Sequence, residues 1–256
     1  MYRTITSAFG METIDVPLDE AWDLKTQPML EALERYRPSL VFYSRPNNPT
    51  GNCFTEERLR AVIESDPGAL HVIDEVYGPF AGQSLTGWCE RYPNVAVLGS
   101  LSKIGLAGVR VGWIRLHPEL RREVDKARLP FNVSALSQEV ARLALSDLAP
   151  TLEAGVHQLI RERHRVIEAL RALPGVTPYP TDASFLLVRL PCDATAFVAE
   201  LAKQSIAVCN LDDHSGRLRG HVRITIGEPN ENDRLLDAFP RALAPVADRS
   251  FNPREV

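Results

Sequence analysis

The sequence predicts an α/β fold, with a mainly parallel sheet in residues 1–148 and a smaller α+β domain in residues 149–256. Three observations carry this. Short apolar runs at 39–43, 70–73 and 95–98 are separated by stretches with helical character, the alternation that lays strands side by side in parallel. Each run ends in polar residues, as strands do when their carboxyl ends line a pocket. A long amphipathic helix begins near residue 150, and beyond it the strands are short and one alternates in polarity.

Taken in order, Met29, Leu30, Leu33 and Tyr36 recur at helical spacing before the first apolar run. That run reads as a buried strand and ends in RPNNPTGN, a turn rich in Pro and Asn. A helix over 55–65 follows, capped by Thr55, with Glu56 and Glu57 in the first turn where the helix dipole favours them. The second run enters Asp74-Glu75-Val76-Tyr77, and the third enters Ser100, Ser102 and Lys103 ahead of a loop with Gly105 and Gly108. Residues 109–116 form another strand, Pro118 opens a helix to 128, and Ser134 caps a helix over 135–146.

In the second half, Leu152, Val156, Leu159, Ile160, Val166, Ile167 and Leu170 share the apolar side of a helix that stops at Pro174-Gly175. Short strands are expected at 176–179, 185–190 and 206–208, with a helix over 194–203. Residues 221–226 alternate, so Arg223 and Thr225 share the face opposite Val222, Ile224 and Ile226. Asn230, with Asp233 three residues on, caps a last helix to 243, and 245–256 reads as a frayed tail.

The totals exclude several classes of function. At 256 residues, 45% hydrophobic and 24% charged, the chain is an ordinary globular protein. A net charge of -4 and the lack of a basic block give no reason to expect nucleic acid or a membrane surface. Cys53, Cys89, Cys192 and Cys209 are widely spaced, with no C-x-x-C pair, and read as reduced thiols rather than metal ligands. His157 and His164 are seven apart with no carboxylate to complete a site, and read as surface residues. No apolar run approaches a membrane span and MYRTITSAFG lacks a signal peptide's hydrophobic centre, so the expected setting is cytoplasmic.

The chemistry concentrates in VAVLGSLSKIGLAGVRVGW. A lysine at the carboxyl end of a buried strand is partly desolvated, which disfavours its ammonium form and leaves free amine for attack on a carbonyl carbon. Two hydroxyls, two glycines and Arg110 around it are what a phosphate needs: donors, close backbone approach and a bidentate cation. Amine and anion site together suggest pyridoxal phosphate.

SLSKIGLAGVRVGW resembles the lysine segment of the fold-type I pyridoxal-phosphate enzymes, in particular the aminotransferases similar to histidinol-phosphate aminotransferase. NPTG, DEVY, GPFAGQSLTGW and RITIG resemble further segments of that family, and together they cover nearly all of the chain. The resemblance implies that Lys103 forms the Schiff base and that Ser100, Ser102 and Arg110 hold the cofactor phosphate. It implies that Asn48 and Tyr77 bind the phenolic oxygen, that Asp74 pairs with the pyridine nitrogen, and that Arg223 binds the substrate's anionic group. It further implies a PLP-dependent transferase-like fold, a homodimer, and an amino donor and a 2-oxo acid as substrates.

Departures from the family pattern are visible. One residue fewer separates Lys103 from Arg110 than is usual. Cys209 and Asn210 stand where a second, phosphate-binding arginine is usual, with Arg217 and Arg219 as candidate replacements, and Ser184 stands where an asparagine is frequent. MYRTITSAFGMETIDVPL resembles the interior of the family's large domain, so the part with the main phosphate loop and the ring-stacking aromatic is expected to be lacking.

Other readings use the same residues. Decarboxylation or carbon-sulfur lysis would share Asp74 and Lys103, because the bond cleaved depends on which one the pocket sets perpendicular to the ring. A catalytically inactive fragment or a binding module would follow if the cofactor is not retained. Ser100-Leu101-Ser102-Lys103 fits the S-x-x-K of penicillin-recognising hydrolases, but that serine should open a helix, which Gly105 and Gly108 oppose, and no S-D-N element accompanies it. No G-x-G-x-x-G follows the first strand to suggest a nicotinamide enzyme.

Overall fold

The computed structural model describes residues 1–214 and 216–246; Ser215 and, of the tail expected over 245–256, residues 247–256 lie outside the described residues. The chain divides into two compact units. The first holds Met1–Asn47 and Asn52–Leu148, and the second takes Asn48–Gly51 together with the chain from Ala149 onward.

The first unit carries α1 (Tyr2–Ala8), α2 (Thr26–Tyr36), β1 (Leu40–Ser44), α3 (Glu56–Ser65), β2 (Leu70–Asp74), α4 (Trp88–Arg91), β3 (Val95–Ser100), β4 (Gly112–Leu116), α5 (Pro118–Ala127) and α6 (Ala135–Ala144). Its sheet runs β1-β2-β3-β4, with the first three strands parallel and β4 antiparallel to β3. The register pairs Ser44 with Asp74 and Asp74 with Leu98, so β1 and β2 end level and β3 runs on to Ser100. Met29 and Leu33 of α2 are buried as their spacing predicts, whereas Leu30 is half-buried and Tyr36 exposed; with Leu59, Val62 and Ile63 of α3 they join a core with Tyr43, Ile73, Val95 and Val97. Each such side chain contributes about 1.5–3 kcal/mol by leaving water. Tyr43 is buried with a polar partner, its hydroxyl lying 2.9 Å from His71 Nδ1.

Several local expectations shift. Thr55 stands at the N-cap of α3 but its side chain accepts no capping bond; its hydroxyl donates to Asp23. Only Tyr43 of β1 is buried, while Leu40 and Phe42 are exposed. The strand expected from 109 begins at Gly112, since Ala107–Val109 is a 3-10 turn and Arg110 takes a left-handed conformation with φ 57°. Ser134 does cap α6, accepting from Ser137 N at 3.1 Å.

The second unit contains α7 (Ala149–Arg171), β5 (Thr177–Pro178), β6 (Phe185–Arg189), α8 (Ala194–Lys203), β7 (Cys209–Asn210), β8 (His221–Thr225) and α9 (Pro229–Leu243). Its sheet is antiparallel throughout, in the order β5-β6-β8-β7. The alternation at 221–226 is realised: Val222, Ile224 and Ile226 are buried, whereas Arg223 is half-buried and Thr225 exposed. Phe197 of α8 and Phe239 of α9, both fully buried, meet with ring centroids 4.7 Å apart in this core.

The strand expected at 206–208 pairs only from Cys209. Ser205 turns the chain at φ 59° and Ile206 N still bonds to Leu201 O, so the preceding residues complete the exit from α8. The last helix starts one residue before Asn230, and its cap is Glu228 in a capping box with Glu231. Val246, placed in the tail by sequence, is buried at the end of a 3-10 turn. Among the described residues no helix is long and apolar enough to cross a membrane, and no group of His, Cys, Asp and Glu could hold a metal ion.

Candidate functional site

Adjacent parallel strands bring two of the chemical groups to one sheet edge. Asp74 is the last residue of β2, 4% exposed, and Lys103 closes the 3-10 turn Leu101–Lys103 that directly follows β3. The Asp74 carboxylate is held from both oxygens: Oδ1 accepts from Val76 N at 3.0 Å, and Oδ2 accepts the Tyr2 hydroxyl. Lys103 Nζ stands 5.1 Å from the centre of the Tyr77 ring, a cation–π distance. Lys103 is exposed, which differs from the desolvation its place beside a buried strand suggested. The physical reason is that burial fades within β3 and the turn beyond it buries Leu101 but turns Lys103 outward.

The segment after Asp74 is clamped by its neighbour. Glu75, 5% exposed, accepts from Ser84 Oγ at 2.5 Å, Leu85 N at 2.8 Å and Arg45 Nη1 at 3.4 Å. Arg45, also buried, reaches Glu56 at 3.2 Å as well. This network joins the end of β1, the end of β2 and the loop at 84–85, so it fixes the turn from which Asp74 and Tyr77 project.

The proposed phosphate donors are only partly assembled. Ser100 Oγ donates to Val111 O at 3.2 Å and accepts from Ser102 N at 3.0 Å, so this hydroxyl serves the turn. Ser102 is half-buried beside it. Arg110 is exposed and donates to Ala107 O at 3.4 Å, on its own turn.

Asn48 belongs to the second unit, where its Oδ1 accepts from Arg223 Nη1 at 2.7 Å. This leaves the amide N–H2 as the donor end of Asn48. The peptide bonds before Pro46 and Pro49 are cis. Gly51 has φ 84° and no room for a Cβ, because Thr181 lies against it and donates to its carbonyl at 3.2 Å. Arg223 packs over the Phe185 ring at 5.3 Å, pairs in register with Cys209 and Leu187, and keeps a buried Nε without a partner.

Asn210 is engaged elsewhere. Its Nδ2 donates to Thr195 Oγ1 at 2.8 Å, Thr195 donates to Asp212 at 2.9 Å, and Asp212 N returns to Asn210 Oδ1 at 3.1 Å. That closed loop makes Asn210 a structural residue. Arg217 and Arg219 are exposed, and Ser184 is buried with its carbonyl accepting from Ile226 N.

Sequence reasoning missed Tyr2, Phe42, Arg45 and Glu75. Tyr2 and Phe42 stack, with ring centroids 4.7 Å apart and 17° between planes, beside Asp74. No periodicity marks Tyr2, whose partners Phe42 and Asp74 lie more than thirty residues away, or Arg45 and Glu75, which meet 30 residues apart. A cavity of about 650 Å³ lies among Leu30, Leu33, Arg37, Ser65 and Asp66, at the amino-terminal ends of β1 and β2 and so away from the edge carrying Asp74.

Comparison with known proteins shows the family. The family model described as aminotransferase class I and II matches residues 1–239. A histidinol-phosphate aminotransferase of Nitrosococcus oceani is 37% identical over 240 residues, covering 93% of this chain and 66% of its own length. The chain therefore spans just under two thirds of that curated relative. The histidinol-phosphate aminotransferase of Sinorhizobium meliloti, solved with pyridoxal-5'-phosphate, superposes with a TM-score of 0.85 at 25% identity, covering 94% of this chain and 67% of that one. A decarboxylase from Sulfurospirillum multivorans superposes with a TM-score of 0.83 at 26% identity, covering 91% and 70%.

Proposed function

The chain belongs to the aminotransferase class I and II family, and from that premise we propose that it is a pyridoxal 5'-phosphate-dependent aminotransferase. It moves an amino group between an amino acid or a histidinol-phosphate-like amine and a 2-oxo acid, using Lys103. The single observation that carries this reading is the emergence of a buried carboxylate, Asp74, and an accessible amine, Lys103, at the carboxyl ends of adjacent parallel strands. The 37% identity to a histidinol-phosphate aminotransferase supports the same class of reaction.

One observation speaks for the cofactor and one for the substrate. Asp74 already accepts a hydroxyl donor at Oδ2, as a protonated ring nitrogen would require, and Arg223 keeps a buried Nε with no partner, a donor that a substrate's anionic group satisfies. The proposed holders are Asp74 for the ring nitrogen, Tyr77 and Asn48 for the phenolic oxygen, and Ser100, Ser102 and Arg110 for the phosphate. When bound, pyridoxal phosphate supplies a carbonyl for Schiff-base chemistry and a ring that withdraws electrons from the substrate's α-carbon.

Each residue then has a defined task. Lys103 would take the proton from the substrate α-carbon and return it to the carbon across the amino nitrogen, the one the cofactor's carbonyl supplies. Asp74, as an anion, keeps a proton on its ring-nitrogen partner. Arg223 orients the substrate through its anionic group, with Asn48 steadying the guanidinium. On this reading residues 1–148, apart from the Asn48–Gly51 segment that groups with the second unit, form the cofactor-binding domain and 149–256 the small domain, and the active form is a cytoplasmic homodimer.

The test is turnover with a panel of amino donors, including histidinol phosphate, and 2-oxo acids in the presence of added cofactor. Oxo-acid formation that is lost in Lys103→Ala is the expected result, and equal turnover by that variant refutes the assignment. One observation favours a second reading: the 26% identity to a decarboxylase. Carbon dioxide release without amino transfer would select it.

A further inference from the structure

We propose that Tyr2 is a built-in competitor for the cofactor: its phenol occupies the Asp74 acceptor, and the ring nitrogen binds there only when α1 gives up that hydrogen bond. This rests on the cofactor reading above and concerns how the same site is gated.

The geometry of the contact is the first argument. The Tyr2 hydroxyl donates to Asp74 Oδ2, while Oδ1 is already taken by Val76 N. Both oxygens therefore carry a donor, and a protonated heterocycle approaching the carboxylate meets the phenol first. The Tyr2 ring is aligned by stacking on Phe42. Phe42 pairs in register with Val72, and Asp74 lies two residues further along β2, so residue alternation puts Phe42, Val72 and Asp74 on one face of the sheet. An aromatic ring lying on that face and hydrogen-bonded to Asp74 reproduces the two features that a bound pyridine ring needs. Burial first, and then the hydrogen bond to Asp74 and its charge, push the Tyr2 phenol far above its ordinary range, so it remains a donor throughout the physiological range.

The attachment of α1 is the second argument. None of its residues is fully buried, and Tyr2 itself is half-buried. Ile5 and Phe9 are exposed, and the other ties are the Arg3–Asp15 ion pair at the surface and a 2.7 Å contact between the Thr6 and Thr13 hydroxyls. Such a segment opens at small cost. Tyr2 is thus held well enough to satisfy Asp74 when the cofactor is absent, and loosely enough to be displaced.

The experiment is an absorption and tryptophan-fluorescence titration of the full chain and of Tyr2→Phe with pyridoxal phosphate. A parallel titration uses the analogue in which carbon replaces the ring nitrogen. Tyr2→Phe keeps the stacked ring and removes only the donor, so the expected result is about tenfold tighter binding of pyridoxal phosphate, the worth of one hydrogen bond to a charged acceptor. The analogue makes no demand on Asp74, so its affinity should be the same for both proteins. Unchanged or weaker binding of pyridoxal phosphate by Tyr2→Phe overturns the competition while leaving the cofactor reading intact. An equal gain for the analogue also overturns it, by moving the conflict from the Asp74 oxygen to the space of the ring. Failure of both proteins to bind either compound overturns the cofactor reading and this inference with it.

Discussion

Replacing Glu75 with glutamine removes one charge and keeps the shape. The wild-type carboxylate accepts from Leu85 N at 2.8 Å and Ser84 Oγ at 2.5 Å, and more weakly from Arg45 at 3.4 Å. Hydrogen bonds to a charged acceptor exceed those to a neutral one by about 1 kcal/mol each, so the two short bonds lose about 2 kcal/mol together. Arg45, 4% exposed, is left with Glu56 as its carboxylate, which adds about 1 kcal/mol. The expected cost of Glu75→Gln is therefore about 3 kcal/mol. Trp22, Trp88 and Trp113 all lie in the first unit, so their emission during urea unfolding reads this unit by itself. With a urea slope of about 2 kcal/mol/M the midpoint should fall by about 1.5 M. A variant within about 0.5 kcal/mol of wild type would refute the claim that Glu75 clamps the turn bearing Asp74.

Phe239→Ala should cost about 3–5 kcal/mol, because a fully buried ring is removed from contact with Phe197; the loss should appear in circular dichroism of the second unit's unfolding while the tryptophan transition stays put. Gly51→Ala should destabilise the second unit by about 2 kcal/mol or more, since it combines φ 84° with a clash against Thr181, and an unchanged melting profile would contradict the close approach. Burial holds the His71 and His221 imidazoles below their ordinary value, so the unfolded chain takes up protons first as pH falls. Their contribution is complete above about pH 6.5 and is lost as pH drops from there towards the folded-state values. The tryptophan-detected midpoint should accordingly fall between pH 7.5 and 5.5, and fall less in His71→Gln. Arg223→Gln should raise KM for the amino donor more than it lowers kcat if Arg223 orients the substrate anion, and an effect on kcat alone would remove it from that task.

The sequence was most legible where local chemistry and burial agreed. β2 and the first half of β3 are buried and both strands end in polar residues, so the placement of Asp74 and Lys103 at one edge could be read from runs of apolar residues. The alternation at 221–226 predicted the outward face of Arg223 for the same reason. Legibility failed where a competing partner lay far off in sequence. Thr55 was a good cap by type, yet Asp23, 32 residues earlier, took its hydroxyl. Asn230 lost the cap of α9 because Pro229 fits the first helical turn and Glu228 with Glu231 closes a capping box before it. In the site itself, Asp74 and Lys103 were visible, but Tyr2 on Asp74 was not, since a contact across 72 residues leaves no periodic trace. Nor could spacing reveal that Asn48 is gathered with Arg223, 175 residues away.

The most direct test of the central claim is the visible absorption spectrum of the full chain after incubation with pyridoxal phosphate and dialysis, recorded beside that of Lys103→Ala. A retained band that is present in the wild-type chain and absent from the variant is the result this account predicts. No retained band, or the same band in both proteins, would contradict Lys103 as the residue that holds the cofactor.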